Sequence, residues 1–380
     1  MSMALRRCLP LLLLLASGAG RSAVLPEDRV DLMYHRYEGG GLTVDGPSVL
    51  VRKKFGESFS VTGSYYVDTI SSASIDVVTT ASPYTERHVE KGLSLDYLHG
   101  KTTYTVGYMN SEESDYTSDT MSFGLSQDMF GDLTTVSIGY SQGWDTVGKR
   151  GDADFAESVS RRSYRLGLSQ VLTRSMLLSL NYETDTSQGY LHSAYRSMRF
   201  NIPGNSYGYG PEVYPDTRTG NAAAARLKYF LPWKAAVEGG YRFYADTWGI
   251  TAHTASIEYT QPMWGKWVFN GSYRFYTQTG ADFYSDLFPN ANYQNFMGRD
   301  KENSAFSDNS FGVGASYEIP VTWLSFLKKG TVNFQYSYMM FDYRDFRDLT
   351  NFPPGTATPG TEPLYSMNAS IYQLFLSIWF

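Results

Sequence analysis

From about Arg29 to the end of the chain, apolar and polar residues alternate in segments of 10 to 14 residues. That is the period of a β-strand with one apolar face. Tyr104-Val106-Tyr108, Val136-Ile138-Tyr140, Tyr164-Leu166-Leu168, Phe311-Val313-Ala315-Tyr317-Ile319 and Val332-Phe334-Tyr336-Tyr338 form such faces, and their neighbours are Ser, Thr, Gly, Asn, Gln or charged. Short turn-forming stretches separate some segments: 55–58, 99–101, 129–132, 173–174, 232–233 and 262–265. Mostly longer polar stretches separate the others: 38–46, 70–87, 144–157, 187–218, 279–306 and 344–363, with brief ones near Glu113 and Trp248. The two kinds alternate, which predicts an up-and-down antiparallel sheet with turns at one end and loops at the other.

Counting hairpins, with a further short connection at 320–329, predicts about sixteen strands. The segment Val321 to Lys329 is too long for a tight turn and is expected to form a short interfacial helix. An even strand number lets the first and last strands pair and remove the sheet edges. The last strand is the clearest: Tyr372, Leu374, Leu376, Ile378 and Phe380 share one face, opposite Gln373 and Ser377. Ending on an aromatic residue, it resembles the final strand of Gram-negative outer-membrane β-barrels. The resemblance implies an assembly signal read by the barrel-assembly machinery.

Composition supports a membrane barrel over a helical membrane protein. Aromatic residues make up 16% of the chain, including 31 Tyr, while mean hydropathy is −0.33. Only one face of each strand need be apolar, with Tyr and Trp gathering at the two membrane interfaces. The sole long apolar run, Leu9 to Leu15, follows Arg6 and Arg7 and precedes the small residues Ala16 to Gly20. It is far short of the roughly 20 residues a membrane helix needs. It reads as a signal peptide over residues 1–23, cleaved after Ala19 or Ala23, leaving 24–380 as a single barrel domain directed to the cell outer membrane. The only cysteine, Cys8, falls in the signal, so the mature chain has no disulfide, thiolate metal site or cysteine nucleophile. Formal net charge is −6 and becomes more negative once the signal arginines are removed, which disfavours nucleic acid as a partner.

The strand parity assigns a lumen lining of Arg52, Lys54, Asp68, Asp96, Arg165, Glu183, Arg226, Lys228, Glu238, Arg242, Glu258, Arg274 and Glu318. Basic and acidic residues nearly balance, as suits a wet pore or a lumen crossed by salt bridges. The tetrapeptide Tyr241-Arg242-Phe243-Tyr244 recurs as Tyr273-Arg274-Phe275-Tyr276. Arg242 and Arg274 could form a basic track with Tyr244 and Tyr276, although ordinary alternation with an aromatic girdle explains the repeat more plainly.

Catalytic and cofactor signals are sparse. His35, His88, His99, His192 and His253 are scattered, and only His88 and His192 lie in or beside outer loops. A hydrolase would need Ser or Asp beside one of them, and neither spacing nor a Gly-x-Ser-x-Gly or His-Glu-x-x-His motif supplies it. Gly39-Gly40-Gly41 has no helix pattern after it and reads as a flexible loop. Asp145, Asp152, Asp154 and Glu157 match no calcium-loop spacing and read as a solvated acidic loop. No enzyme, metal or cofactor is expected.

The phrases Gly46-Pro47-Ser48-Val49-Leu50-Val51-Arg52-Lys53, Tyr65-Tyr66-Val67-Asp68 followed by 72–79, and Ser126-Gln127-Asp128-Met129-Phe130-Gly131-Asp132-Leu133-Thr134-Thr135 resemble an uncharacterised family of Gram-negative envelope proteins, domain of unknown function thirty-five seventy. With Tyr241-Arg242-Phe243-Tyr244 the resemblance extends over nearly the whole mature chain, and it implies a barrel with no established activity. The first expectation is therefore a pore for small solutes in outer-membrane lipid, because sixteen strands usually enclose an aqueous channel. Any constriction would come from 187–218 or 279–306. The alternatives are a barrel scaffold that binds a ligand, surface polymer or electron-transfer partner through its Tyr-rich loops, and an outer-membrane hydrolase.

Overall fold

A computed structural model describes residues 24–71, 85–320, 326–352 and 355–380. The expected signal peptide, most of the loop after Ser71 and residues 321–325 of the expected interfacial helix lie outside the described residues. The strands are β1 (Arg29–Gly39), β2 (Leu42–Phe55), β3 (Phe59–Ser71), β4 (Thr85–His99), β5 (Thr102–Glu113) and β6 (Tyr116–Met129). They continue with β7 (Thr134–Lys149), β8 (Asp152–Thr173), β9 (Met176–Gly189), β10 (Ser197–Ile202), β11 (Ser206–Pro211) and β12 (Thr217–Phe230). The last six are β13 (Ala236–Asp246), β14 (Thr251–Met263), β15 (Trp267–Gln278), β16 (Phe306–Ile319), β17 (Lys329–Arg347) and β18 (Leu364–Trp379).

All except β10 and β11 join one closed antiparallel barrel of sixteen strands. Neighbours in sequence are neighbours in the sheet, β9 pairs with β12, and β1 closes on β18 with Arg29 opposite Trp379 and Gly39 opposite Ala369. Closure leaves the barrel no strand edge, the condition for placing a sheet in hydrocarbon. No described helix is long and apolar enough to cross a membrane. β10 and β11 form a separate hairpin inside the loop between β9 and β12.

Burial follows the period of two. Val106, Tyr108, Ile138, Tyr140, Leu166, Phe311, Val313, Phe334 and Leu374 are exposed, whereas alternate residues such as Ser137, Gly139, Gly312 and Gln335 are less so. The exposed apolar set forms the outer wall, and the opposite parity faces inward. Phe380 packs under the Lys53 ammonium, 4.9 Å from the ring centre. Its amide donates to Asp28 O at 3.3 Å.

Several connections expected to be loops are strand. β1 and β2 meet through Gly40 and Gly41, with φ of 60° and 78°, in place of a loop over 38–46. The glycines supply a left-handed conformation at both turn positions. Similarly, β7 and β8 are joined at Arg150-Gly151 in place of 144–157. The strands outrun the membrane: β8 has 22 residues where about 9–11 suffice to span. Beyond the bilayer both faces can be polar, so the alternation that marks a strand ends before its hydrogen-bonded ladder does. Lys329, assigned to the expected helix, begins β17.

Candidate functional site

The inward face of the barrel and the loops at its outer mouth form the candidate site. Arg52 and Lys54 lie on β2, Asp68 on β3, Asp96 on β4, Arg165 on β8, Glu183 on β9, Arg226 and Lys228 on β12, Glu238 and Arg242 on β13, Glu258 on β14, Arg274 on β15 and Glu318 on β16. All share the parity opposite to the main run of exposed apolar residues on their strands; Phe230 and Val268, at the turn ends of β12 and β15, are exposed on the lining parity. The register brings some together. Arg165 Nε lies 3.0 Å from Glu183 Oε1, Lys228 Nζ 2.9 Å from Glu238 Oε2, and Arg274 Nη2 2.9 Å from Asp308 Oδ1. Arg226 and Arg242 make no ion pair among the described residues. The Arg165 and Lys228 side chains are 52% and 38% exposed, so the space around them is wide enough for water.

The outer mouth carries a folded cap. Residues 190–216, 279–305, 348–352 and 355–363 meet there, and Leu191, Tyr214, Trp248 and Phe283 pack on inward-facing Val147, Val159 and Tyr244. The loops therefore dip into the barrel. At the cap's centre the fully buried Arg199 of β10 donates to Asp286 Oδ2 at 2.5 Å and to Glu362 Oε1 at 2.6 Å. Asp286 also accepts from Arg299 Nε at 3.0 Å, and Arg196 donates to Asp300 at 2.5 Å. Met198, Phe288 and Met297 form a small apolar core beside this network. Tyr207 donates to Phe352 O at 3.0 Å, so the β10–β11 hairpin reaches a loop that leaves the barrel six strands from β9. In the other direction Tyr195 donates to Asp115 in the β5–β6 turn and accepts from the Arg150 amide at 2.7 Å.

Glu212, between β11 and β12, is buried in the cap. Burial, with Asp300 nearby, pushes its carboxyl up to about 7, although it accepts from the Arg299 amide at 2.7 Å and Tyr214 at 2.8 Å. Beside it Phe155, Tyr190, His192 and Arg196 line a cavity of about 150 Å³. Burial pushes the His192 imidazole below its ordinary value.

A second polar cluster lies in the inner wall. Tyr66 donates to Asp68 Oδ2 at 2.8 Å, and His35 Nε2 lies 2.6 Å from Asp68 Oδ1. His88 is the direct cross-strand partner of Asp68, and its Nε2 lies 2.8 Å from Ser111 Oγ. Gly46 permits the close strand approach here, since a Cβ would stand 1.8 Å from Val67 O. Sequence spacing gave His88 no partner; the fold supplies Ser111 from β5 and sets Asp68 of β3 opposite it. His192 instead packs at a tilt against Tyr190, with ring centres 4.0 Å apart. Asp145 does not belong to a solvated acidic loop: it lies in β7 with a fully buried side chain, 2.5 Å from Arg161. Among the described residues no group of three or more His, Cys, Asp or Glu could hold a metal ion.

Fold and lining together define an outer-membrane β-barrel of porin-like form. The chain belongs to the family described as "Protein of unknown function (DUF3570)", whose model matches residues 76–165 and 160–339. No curated protein matches it. Among solved structures it is similar to one titled "Bacterial polysaccharide outer membrane secretin", with TM-score 0.50, 6% identity, 93% of this chain and 99% of that one covered. It is also similar to the CymD monoaromatic hydrocarbon channel, with TM-score 0.44, 11% identity and coverages of 93% and 88%. A Pseudomonas aeruginosa FadL homologue gives TM-score 0.42, 9% identity and coverages of 93% and 91%.

Proposed function

We propose that this protein resides in the cell outer membrane and passes small solutes through a hydrated lumen whose outer mouth is narrowed by its own loops. The carrying observation is the inner wall. Arg226 and Arg242 have no ion pair among the described residues, and the paired Arg165 and Lys228 remain substantially solvent-exposed. Unpaired guanidiniums in a dry interior would cost several kcal/mol each, whereas water in the lumen removes that cost. The barrel-assembly machinery and surrounding lipid are the partners this reading requires. Purified protein in planar bilayers is expected to give discrete conductance steps. Correctly folded barrels that stay silent at high protein concentration, with the cap loosened as well as intact, would overturn the channel and favour a binding scaffold, for which the cap would be the platform.

A hydrolytic reading has one supporting observation: His88, 2.8 Å from Ser111 Oγ, stands opposite Asp68, so a hydroxyl, an imidazole and a carboxylate follow in the order nucleophilic catalysis requires. Against it, Ser111 sits inside the ladder, opposite Glu90 on one side and Ser118 on the other, so its backbone amide is not presented to an oxyanion.

A further inference from the structure

Three inward-facing arginines lie on one patch of the barrel wall, built from β12 to β15. Arg226, Gly240, Ser256 and Arg274 are successive cross-strand partners. At about 4.8 Å per strand spacing, the two arginines are rooted about 14 Å apart with only a glycine and a serine between them. Arg242 stands above this gap, opposite Ala224 and Thr254, one pleat nearer the outer mouth. The stem of Arg226 leans over Gly240: a Cβ there would stand 3.5 Å from Arg226 Cγ and 2.7 Å from Ser256 Oγ. Small residues thus leave an open stretch of wall between the roots of Arg226 and Arg274, below Arg242.

Their commitments differ. Arg274 holds Asp308 at 2.9 and 3.1 Å. Arg242 has no such partner; its guanidinium lies 5.6 Å from the Tyr244 ring centre. Both Arg242 and Arg274 act electrostatically on Tyr276, which stands opposite Thr254 and Asp308 in the same row. The lining acids of the next row toward the turns, Glu238 and Glu258, face each other, and Glu238 is held by Lys228. Arg226 and Arg242 therefore keep donors available to a solute, and a planar guanidinium fork matches the paired oxygens of a carboxylate or phosphate.

We infer that Arg226 and Arg242, with Arg274 beside them, form an oxyanion-binding station in the lumen that selects small solutes bearing a carboxylate or phosphate. The inference rests on the channel reading for its transport role, but binding can be measured without conduction. Calorimetric titration of the folded, detergent-solubilised full chain with inorganic phosphate and with succinate supplies that measurement. Bilayer recordings with the same anions supply the second. The Arg226→Gln/Arg242→Gln double variant is expected to bind the preferred anion about a hundredfold more weakly, the scale of two lost charge-assisted hydrogen bonds. Its current should need a correspondingly higher anion concentration for half-block and should shift toward cations. Glu258→Gln should not weaken binding.

Binding of phosphate alone or succinate alone assigns the station to that class, provided the double variant loses it. A silent barrel that binds an anion and loses it in the double variant supports the station while removing the channel. Absence of binding to the parent protein, or equal binding by parent and double variant with the fold intact, overturns the station even if the channel conducts.

Discussion

Arg199 of β10 and Glu362, which precedes β18, meet as a buried ion pair at 2.6 Å. They couple the hairpin inserted between β9 and β12 to the final outer loop. Neither residue belongs to the barrel ladder, so the contact can be removed without unpairing a barrel strand. Truncating one partner of such a pair strands the other charge, at a cost of about 3–5 kcal/mol. Arg199→Met is therefore expected to free residues 190–216 for proteolysis and raise conductance while leaving the barrel intact. Unchanged cleavage and current would show that the pair does not hold the cap.

The cap should also respond to pH through Glu212. Burial raises its folded-state value from 4.5 to about 7, so the proton is held more tightly in the packed cap than in the open one. That contribution is fully present below about 4.5 and is lost as pH rises toward and through about 7. Protease sensitivity of the cap should increase between pH 5 and pH 8, and Glu212→Gln should flatten the change. A parent protein whose cap is equally protected at both values would contradict the assignment.

Face assignment is testable residue by residue. Arg at mid-membrane on the lipid face costs about 2–4 kcal/mol and little in the lumen. Val136→Arg and Val313→Arg should lower folded yield in vesicles, while Ser137→Arg should not. The reverse ranking would place the wall one residue out of register.

If the last strand carries an assembly signal, a charged residue at Phe380 should reduce membrane yield far more than the same change at Gln373. Phe380 shares the outer face of Leu374, whereas Gln373 lies on the opposite parity between His35 and Gln335. Equal yields would argue against recognition of that face.

The hydrolytic reading predicts that a fluorophosphonate labels Ser111 and that Ser111→Ala abolishes ester cleavage. The strand geometry leads us to expect no labelling. Stoichiometric modification of Ser111 would reverse that expectation.

The barrel was legible because an apolar outer face and a polar inner face impose a period of two on residues such as Val136 to Tyr140. The outer ends of β7 and β8 were not, since water bathes both faces there and the pattern disappears while pairing continues. The lining parity of Arg226 and Arg242 followed from alternation, but their shared gap depends on the register that sets Gly240 against Ser256. Nothing in the sequence linked Arg199 to Asp286 and Glu362, because the pairing is made by loop folding with no fixed period. Ser111 was missed for a related reason: His88 and Ser111 converge across a hairpin, a relation that motif spacing does not encode.

The seam between β1 and β18 makes the barrel's last hydrogen-bonded join a pairing of residues from opposite ends of the described chain. Such a join has the longest loop to close, which disfavours it as the nucleus of assembly. Until it forms, both flanking strands present open edges, so the sheet is most vulnerable to mispairing immediately before completion. The protein's passage to the membrane is accordingly a problem of timing: the chain must be kept from pairing with others until its own two ends meet.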